Sequence, residues 1–212
     1  MKNNFIIILK FLIKLLNIIF SLNLLKNLSI KRNQLYSLWL SNEFKNKPSL
    51  YFCFPAYVFG AKYISIGKNC NFGRRLRIDA FDKYLDDKYL PSIKIGDNVS
   101  IQSDCHIGAI NNITIGNNVV IASKVYICDH SHGETNFESL KTRPALRKLF
   151  SKGPVIIKNN VWLGEGVVVL PGVTIGENCI VGANSVVTKS FPSNCVLAGI
   201  PARIIKEIKY EE

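Results

Sequence analysis

"VIIKNNVWLGEGVVVLPGVTIGENCIVGANSVVT", Val155 to Thr188, decides the fold. It falls into units of six: an apolar residue, a variable one, a second apolar residue, then three turn-forming residues. In an extended chain residues i and i+2 share a face and i+1 points the other way. The first and third places, mostly Val, Ile and Leu, therefore line one side of a short strand, and β-branched side chains suit that packing. Gly and Asn crowd the last three places, where corners demand positive φ. No helical interval separates the units, which argues against a doubly wound sheet.

The same unit extends upstream. Its first places are Ile64, Cys70 and Leu76; then Ile93, Val99 and Cys105; then Ile113, Val119 and Val125. Spacing inside each triplet is six. Every extra residue falls between triplets, after Ile78, Ile107 and Ile127. Three strands thus complete one turn, and insertions leave from one corner. The expected fold is all-β: a parallel β-helix with three-sided coils. Phe52/Phe54 and Val58/Gly60 suggest an earlier partial coil, and Cys195/Leu197 the start of a last one. About thirty inward side chains, at ~1.5–3 kcal/mol each, give ample gross burial to offset chain entropy. The β-helix domain is set at 49–212, with a protruding loop at 128–154.

Residues 1–48 form a separate helical segment. In "MKNNFIIILKFLIKLLNIIFSLNLLKNL" the polar residues Asn3, Lys10, Lys14, Asn17 and Ser21 fall on one narrow stripe at 100° per residue. Lysines interrupt the apolar run and no small-residue cleavage site follows, which speaks against a signal peptide. For a spanning helix, each central Lys costs roughly 2.5–3.5 kcal/mol and each large apolar residue returns ~0.3–0.6. The two nearly cancel, and the one-sided stripe favours a helix lying in the membrane interface, with peripheral contact through residues 3–25. Packing on the protein and spanning remain the alternatives.

Net charge is +12 over 212 residues, which calls for an anionic partner. The basic residues do not gather into one block and no nucleic-acid motif occurs, so nucleic acid is not expected. Six cysteines include no CxxC pair, and Cys70, Cys105 and Cys179 occupy inward places. They read as core residues in a reducing, cytoplasmic compartment, with the inner face of the cell membrane as the place of docking.

The stretch "NNVWLGEGVVVLPGVTIGENCIVGANSVVTKSFPSNCVLAGIPARIIKEI", Asn159–Ile208, resembles the end of the hexapeptide-repeat acyltransferases, in the branch of galactoside, maltose and nodulation-factor O-acetyltransferases. The resemblance covers about residues 60–206. It implies a left-handed coil, a short C-terminal helix, a homotrimer with sites between subunits, and acetyl-CoA as co-substrate with no metal. It implies a general-base histidine on a loop thrown out before the VWIG-like segment, matched by His130 of "CDHSHG". It places Trp162 beside both pantetheine and acceptor. Gly164, Ala183, Thr188 and Lys189 match the lining of the CoA tunnel, and Arg203 and Lys206 the nucleotide end, where phosphates need cations. The branch often has Asn on the coil below the loop, touching the acceptor; the nearest position here is Gln102, a departure.

The chemistry fits those residue types. A sugar hydroxyl is a weak nucleophile, and an imidazole of pKa ~6.5 can take its proton near neutrality. The expected activity is O-acetylation of a sugar or polysaccharide, such as a lipopolysaccharide O-antigen or capsular glycan. His132 is a candidate acceptor-binding neighbour, and His106 reads as structural. Arg143, Arg147, Lys148 and Lys152 form either a solvated charge run or an attractant for phosphates or acidic sugars. The alternatives are N-acetylation of a nucleotide-linked amino sugar and a catalytically silent scaffold. A zinc hydratase is disfavoured, since only three histidines exist and one is remote in sequence.

Overall fold

The fifteen first places of the repeat and their i+2 partners are all buried. The computed structural model describes residues 2–209; Met1 and residues 210–212, the outer ends of the two expected segments, lie outside it, as do the side chains of Lys2, Asn3, Asn4 and Ile19. The chain visits three parallel sheets in rotation. The first face carries Leu50–Phe52, Cys70–Phe72, Ser100–Ile101, Val120–Ile121, Trp162–Leu163, Ile180–Val181 and Cys195–Gly199. The second carries Tyr57–Phe59, Arg77–Ala80, His106–Ala109, Tyr126–Cys128, Val168–Val169 and Val186–Val187. The third carries Ile64–Ile66, Ser92–Ile95, Asn112–Ile115, Val155–Ile157 and Thr174–Ile175.

Pairing is in register, so like stacks on like. On the first face Val120 pairs with Trp162, Trp162 with Ile180, and Ile180 with Val196. The corner from the third face to the first is built from asparagines with φ near 57–60°: Asn69, Asn98, Asn118, Asn160, Asn178 and Asn194. Each of the first five donates its side-chain amide to the next one's carbonyl oxygen, at 2.8–3.1 Å. Asn tolerates this backbone and its amide supplies both donor and acceptor, so one residue type meets both demands.

The ends of the coil are closed by side chains and a returning strand. Helix α1 (Lys2–Ile19) and helix α2 (Leu22–Ser41) break at Phe20–Ser21, where Ser21 caps α2 by accepting from Leu24 N at 3.1 Å. Among the described residues of the two helices, α2 packs on the coil through Asn33, Ser37 and Leu40, which are buried. Ser37 Oγ accepts from Phe52 N at 2.8 Å, and Asn33 Oδ1 accepts from Phe54 N at 3.1 Å. Asn46 brackets Ile66, donating to its carbonyl and accepting from its N–H. These groups satisfy backbone that the first coil would otherwise leave open. The partial coil is present, but Phe54 turns outward at its end and packs edge-on against Tyr36.

At the other end the described residues form a strand in place of the expected short helix. Ala202–Glu207 is a strand, antiparallel to Cys195–Gly199, with a bulge between Val196 and Leu197. The last parallel strand presents a row of unpaired backbone groups, and the chain satisfies them by folding back.

Candidate active site at the insertion corner

All three insertions leave the corner between the second and third faces. The first carries a small hairpin, Lys83–Tyr84 with Asp87–Lys88. The third, 128–154, holds an antiparallel pair, Ser131–His132 with Leu149–Phe150, and the short helix α3 (Phe137–Leu140). The first insertion braces the third. Tyr84 OH donates to Ala145 O at 2.8 Å, and Tyr89 OH accepts from Leu149 N at 2.9 Å. Between the insertions lies an open cleft of about 450 Å³, lined by Lys88, Tyr89, Asn111, Lys148 and Ser151 among others.

His130 stands at the root of the third insertion. Its neighbour Asp129 is fully buried, with its carboxylate oxygens accepting from Ile110 N and Asn111 N, both at 2.9 Å. Asp129 Oδ1 also faces His130 Nδ1 at 3.0 Å. A carboxylate surrounded by donors fixes the tautomer: Nδ1 carries the proton and Nε2 is the free basic nitrogen. Cys128 Sγ lies 3.3 Å from the same Nδ1, and Phe81 meets the ring edge-on at 6.0 Å. Only 11% of the His130 side chain is exposed. Burial pulls its pKa down, but the hydrogen bonds to Asp129 and Cys128 outweigh that and push it up to about 9.

Sequence reasoning missed Asp129, although it sits inside the quoted "CDHSHG". Its signal was a carboxylate next to the candidate base at the end of a completed coil. Reasoning also missed the bracing tyrosines, because nothing local says that insertions two coils apart touch. His106 is not a plain surface residue: its Nε2 lies 3.1 Å from the buried Asp79, which also pairs with Arg77. Gly108 separates the two rings. A Cβ there would lie 3.4 Å from His106 Nε2 and 3.5 Å from His130 Cε1.

The other candidates divide among three places. Thr188 and Lys189 follow Val186–Val187, at the same corner as His130 but further along the axis; Lys189 Nζ sits over the Phe191 ring. Gln102, Gly164 and Ala183 occupy the corner between the first and second faces. Gln102 donates to Ser100 Oγ, and Gly164 packs so closely under Ala183 that a Cβ would approach its nitrogen to 2.7 Å. Trp162, Arg203 and Lys206 lie on the first face. Trp162 is half exposed, and its row continues through Ile180 and Val196 to Lys206. On a three-sided coil the first face lies opposite the corner that carries His130. One chain therefore does not bring Trp162 to His130. His132 is exposed on the loop, edge-on to Tyr84 at 5.3 Å. Among the described residues no group of three or more His, Cys, Asp or Glu side chains is placed to hold a metal ion.

Residues 154–189 match the family model "Bacterial transferase hexapeptide (six repeats)". A protein of Escherichia coli K12 named "Putative lipopolysaccharide biosynthesis O-acetyl transferase WbbJ" is 43% identical over 162 residues, 74% of this chain and 79% of that protein. Another from the same organism, "Putative colanic acid biosynthesis acetyltransferase WcaF", is 35% identical over 152 residues, 71% of each chain. The crystal structure of a maltose O-acetyltransferase from Clostridium difficile 630 superposes with a TM-score of 0.59 at 28% identity, covering 85% of this chain and 89% of that one.

Proposed function

The chain belongs to the bacterial hexapeptide-repeat transferases, and from that premise we propose that it is an acetyl-CoA-dependent O-acetyltransferase acting on a sugar hydroxyl of a surface polysaccharide. The observation that carries this reading is the His130–Asp129 pair: a nearly buried imidazole, its Nδ1 held by a fixed carboxylate, its Nε2 without a partner among the described residues. The relatives named for lipopolysaccharide and colanic acid synthesis support the class of acceptor.

His130 Nε2 takes the proton of the acceptor hydroxyl as its oxygen attacks the acetyl carbonyl carbon. The thioester C–S bond breaks, and the leaving thiolate recovers the proton from His130. Asp129 stabilises the imidazolium formed in between. No acyl-enzyme is needed. The residues present fit the thioester substrate. Gly164, Gly166, Gly182 and Ala183 carry little or no side chain at that corner, and Lys189, Arg203 and Lys206 supply cations for phosphates. Trp162 offers its exposed ring to the pantetheine or the acceptor.

The separation of His130 from the first face supports the homotrimer. In a closed ring of copies, the insertion corner of one protomer meets the first face and the Gln102 corner of the next, and each site is shared. We take the coil to wind left-handed, as in the family. Six unpaired cysteines support a cytoplasmic location.

Purified protein incubated with acetyl-CoA and candidate glycans should release free thiol and form an ester that mild base removes. His130→Gln should lower kcat by about 10²–10⁴-fold. Undiminished turnover in that variant would sink the assignment, and a base-stable product would move it to N-acetylation.

A further inference from the structure

Among its described side chains, helix α1 buries none within the protein. From Phe5 to Ile18 every residue is exposed, including eleven Phe, Ile or Leu between 45% and 77% exposed. The helical run from Phe5 to Ser41 has apolar stretches long enough to cross a membrane, and none of its most apolar window is buried. Exposed apolar surface on this scale marks a partner.

Charge says which partner. Residues 1–42 contain Lys2, Lys10, Lys14, Lys26, Lys31 and Arg32, and no Asp or Glu. At 100° per residue Lys10, Lys14 and Asn17 fall within about 60° of arc, and from Phe5 to Ile18 the remaining arc is Ile, Leu and Phe. Packing α1 against copies of itself would gather these cations with no counter-charge. An anionic lipid surface supplies the counter-charge and a solvent for the apolar arc together. A spanning placement would instead put Lys10 and Lys14 at mid-helix in the hydrocarbon.

We propose that α1 docks the protein on an anionic bilayer, lying in the interface with Lys10, Lys14 and Asn17 toward the headgroups. α2 transmits that anchorage to the coil, because Asn33 and Ser37 bind the first strands through their backbone. The membrane is thereby set at the N-terminal end of the coil. If the proposed transferase activity holds, its acceptor is a glycan carried on a lipid in that membrane.

The test is co-sedimentation of the full chain with vesicles of phosphatidylethanolamine and phosphatidylglycerol, against pure phosphatidylcholine, with no glycan or acetyl-CoA present. The chain should bind the anionic vesicles at least tenfold more tightly, and less so at high salt. Lys10→Glu/Lys14→Glu should lose at least tenfold. Its melting temperature should be unchanged, because Lys10 and Lys14 are exposed. Equal binding to both vesicles, or salt-independent binding, would overturn the electrostatic docking. Resistance to alkaline extraction, with the N-terminal end of α1 protected inside the vesicle and its C-terminal end cleaved by protease outside, would establish spanning instead. Loss of the oligomer on removing residues 1–20, without vesicle binding by the full chain, would show that copies of the chain cover α1. Turnover of a soluble acceptor by the chain lacking residues 1–20 tests the transferase reading separately.

Discussion

Asp129 determines what His130 can do. By holding Nδ1 it leaves Nε2 as the free nitrogen, and by its charge it makes the imidazole a strong base whose proton is hard to lose. With a pKa pushed up to about 9, only about one free-enzyme molecule in a hundred carries neutral His130 at pH 7. Acceptor kcat/KM should therefore climb with pH and level off near 9 rather than near 6.5. Asp129→Asn removes the anion, so the midpoint should fall toward 6.5 while the plateau rate drops; a pH–rate profile of both proteins decides this. The same shift affects stability. His130 is more basic folded than unfolded, so its pairing with Asp129 stabilises the fold fully below about pH 6.5 and less as pH rises toward 9. The difference in melting temperature between the wild type and His130→Ala should shrink over that window. His130 was picked out of the sequence only by its match to the family's loop histidine, since a loop histidine by itself is ordinary surface. Asp129 was not, because its role depends on the backbone N–H groups of Ile110 and Asn111, eighteen or nineteen residues away.

At the scale of elements, the coil was readable because its period is local. Six residues specify strand and corner, and the same six recur. The C-terminal strand was not readable in that way. "ARIIKE" has no period-six partner, and the unpaired edge of Cys195–Gly199 decides its conformation. The break at Phe20–Ser21 was likewise hidden inside a run of apolar residues, although Ser21 is a good helix cap. The asparagine corner offers a test of what holds the repeat in register. Asn118 combines φ 57° with side-chain bonds to Asn98 and Asn160. Asn118→Ala loses both bonds and strains the backbone, so it should cost about 1–2 kcal/mol. Asn118→Gly loses the bonds without the strain and should cost less. Thermal melts that rank Gly below Ala in stability would show that the backbone conformation is not the controlling factor.

For the whole molecule, the arrangement of the candidate residues carries the argument about assembly. His130 lies at one corner of the coil and Trp162 on the face opposite, so in the proposed reaction a self-contained chain would leave one of them without a part. The proposed ring of three copies gives both a place in each shared site, and it makes a prediction that a single-chain site cannot satisfy. His130→Ala and Trp162→Ala should each be nearly inactive alone. Unfolded together in equal amounts and refolded, they form mixed rings in which some sites take His130 from one copy and Trp162 from the next. With random assembly both residues are intact in about a quarter of sites, so about a quarter of wild-type activity should return. If each active site were built within one chain, every site in the mixture would still lack one residue, and activity would stay at the level of the separate variants. Mixing without refolding serves as the control: if subunits do not exchange, activity should stay low until the rings are taken apart.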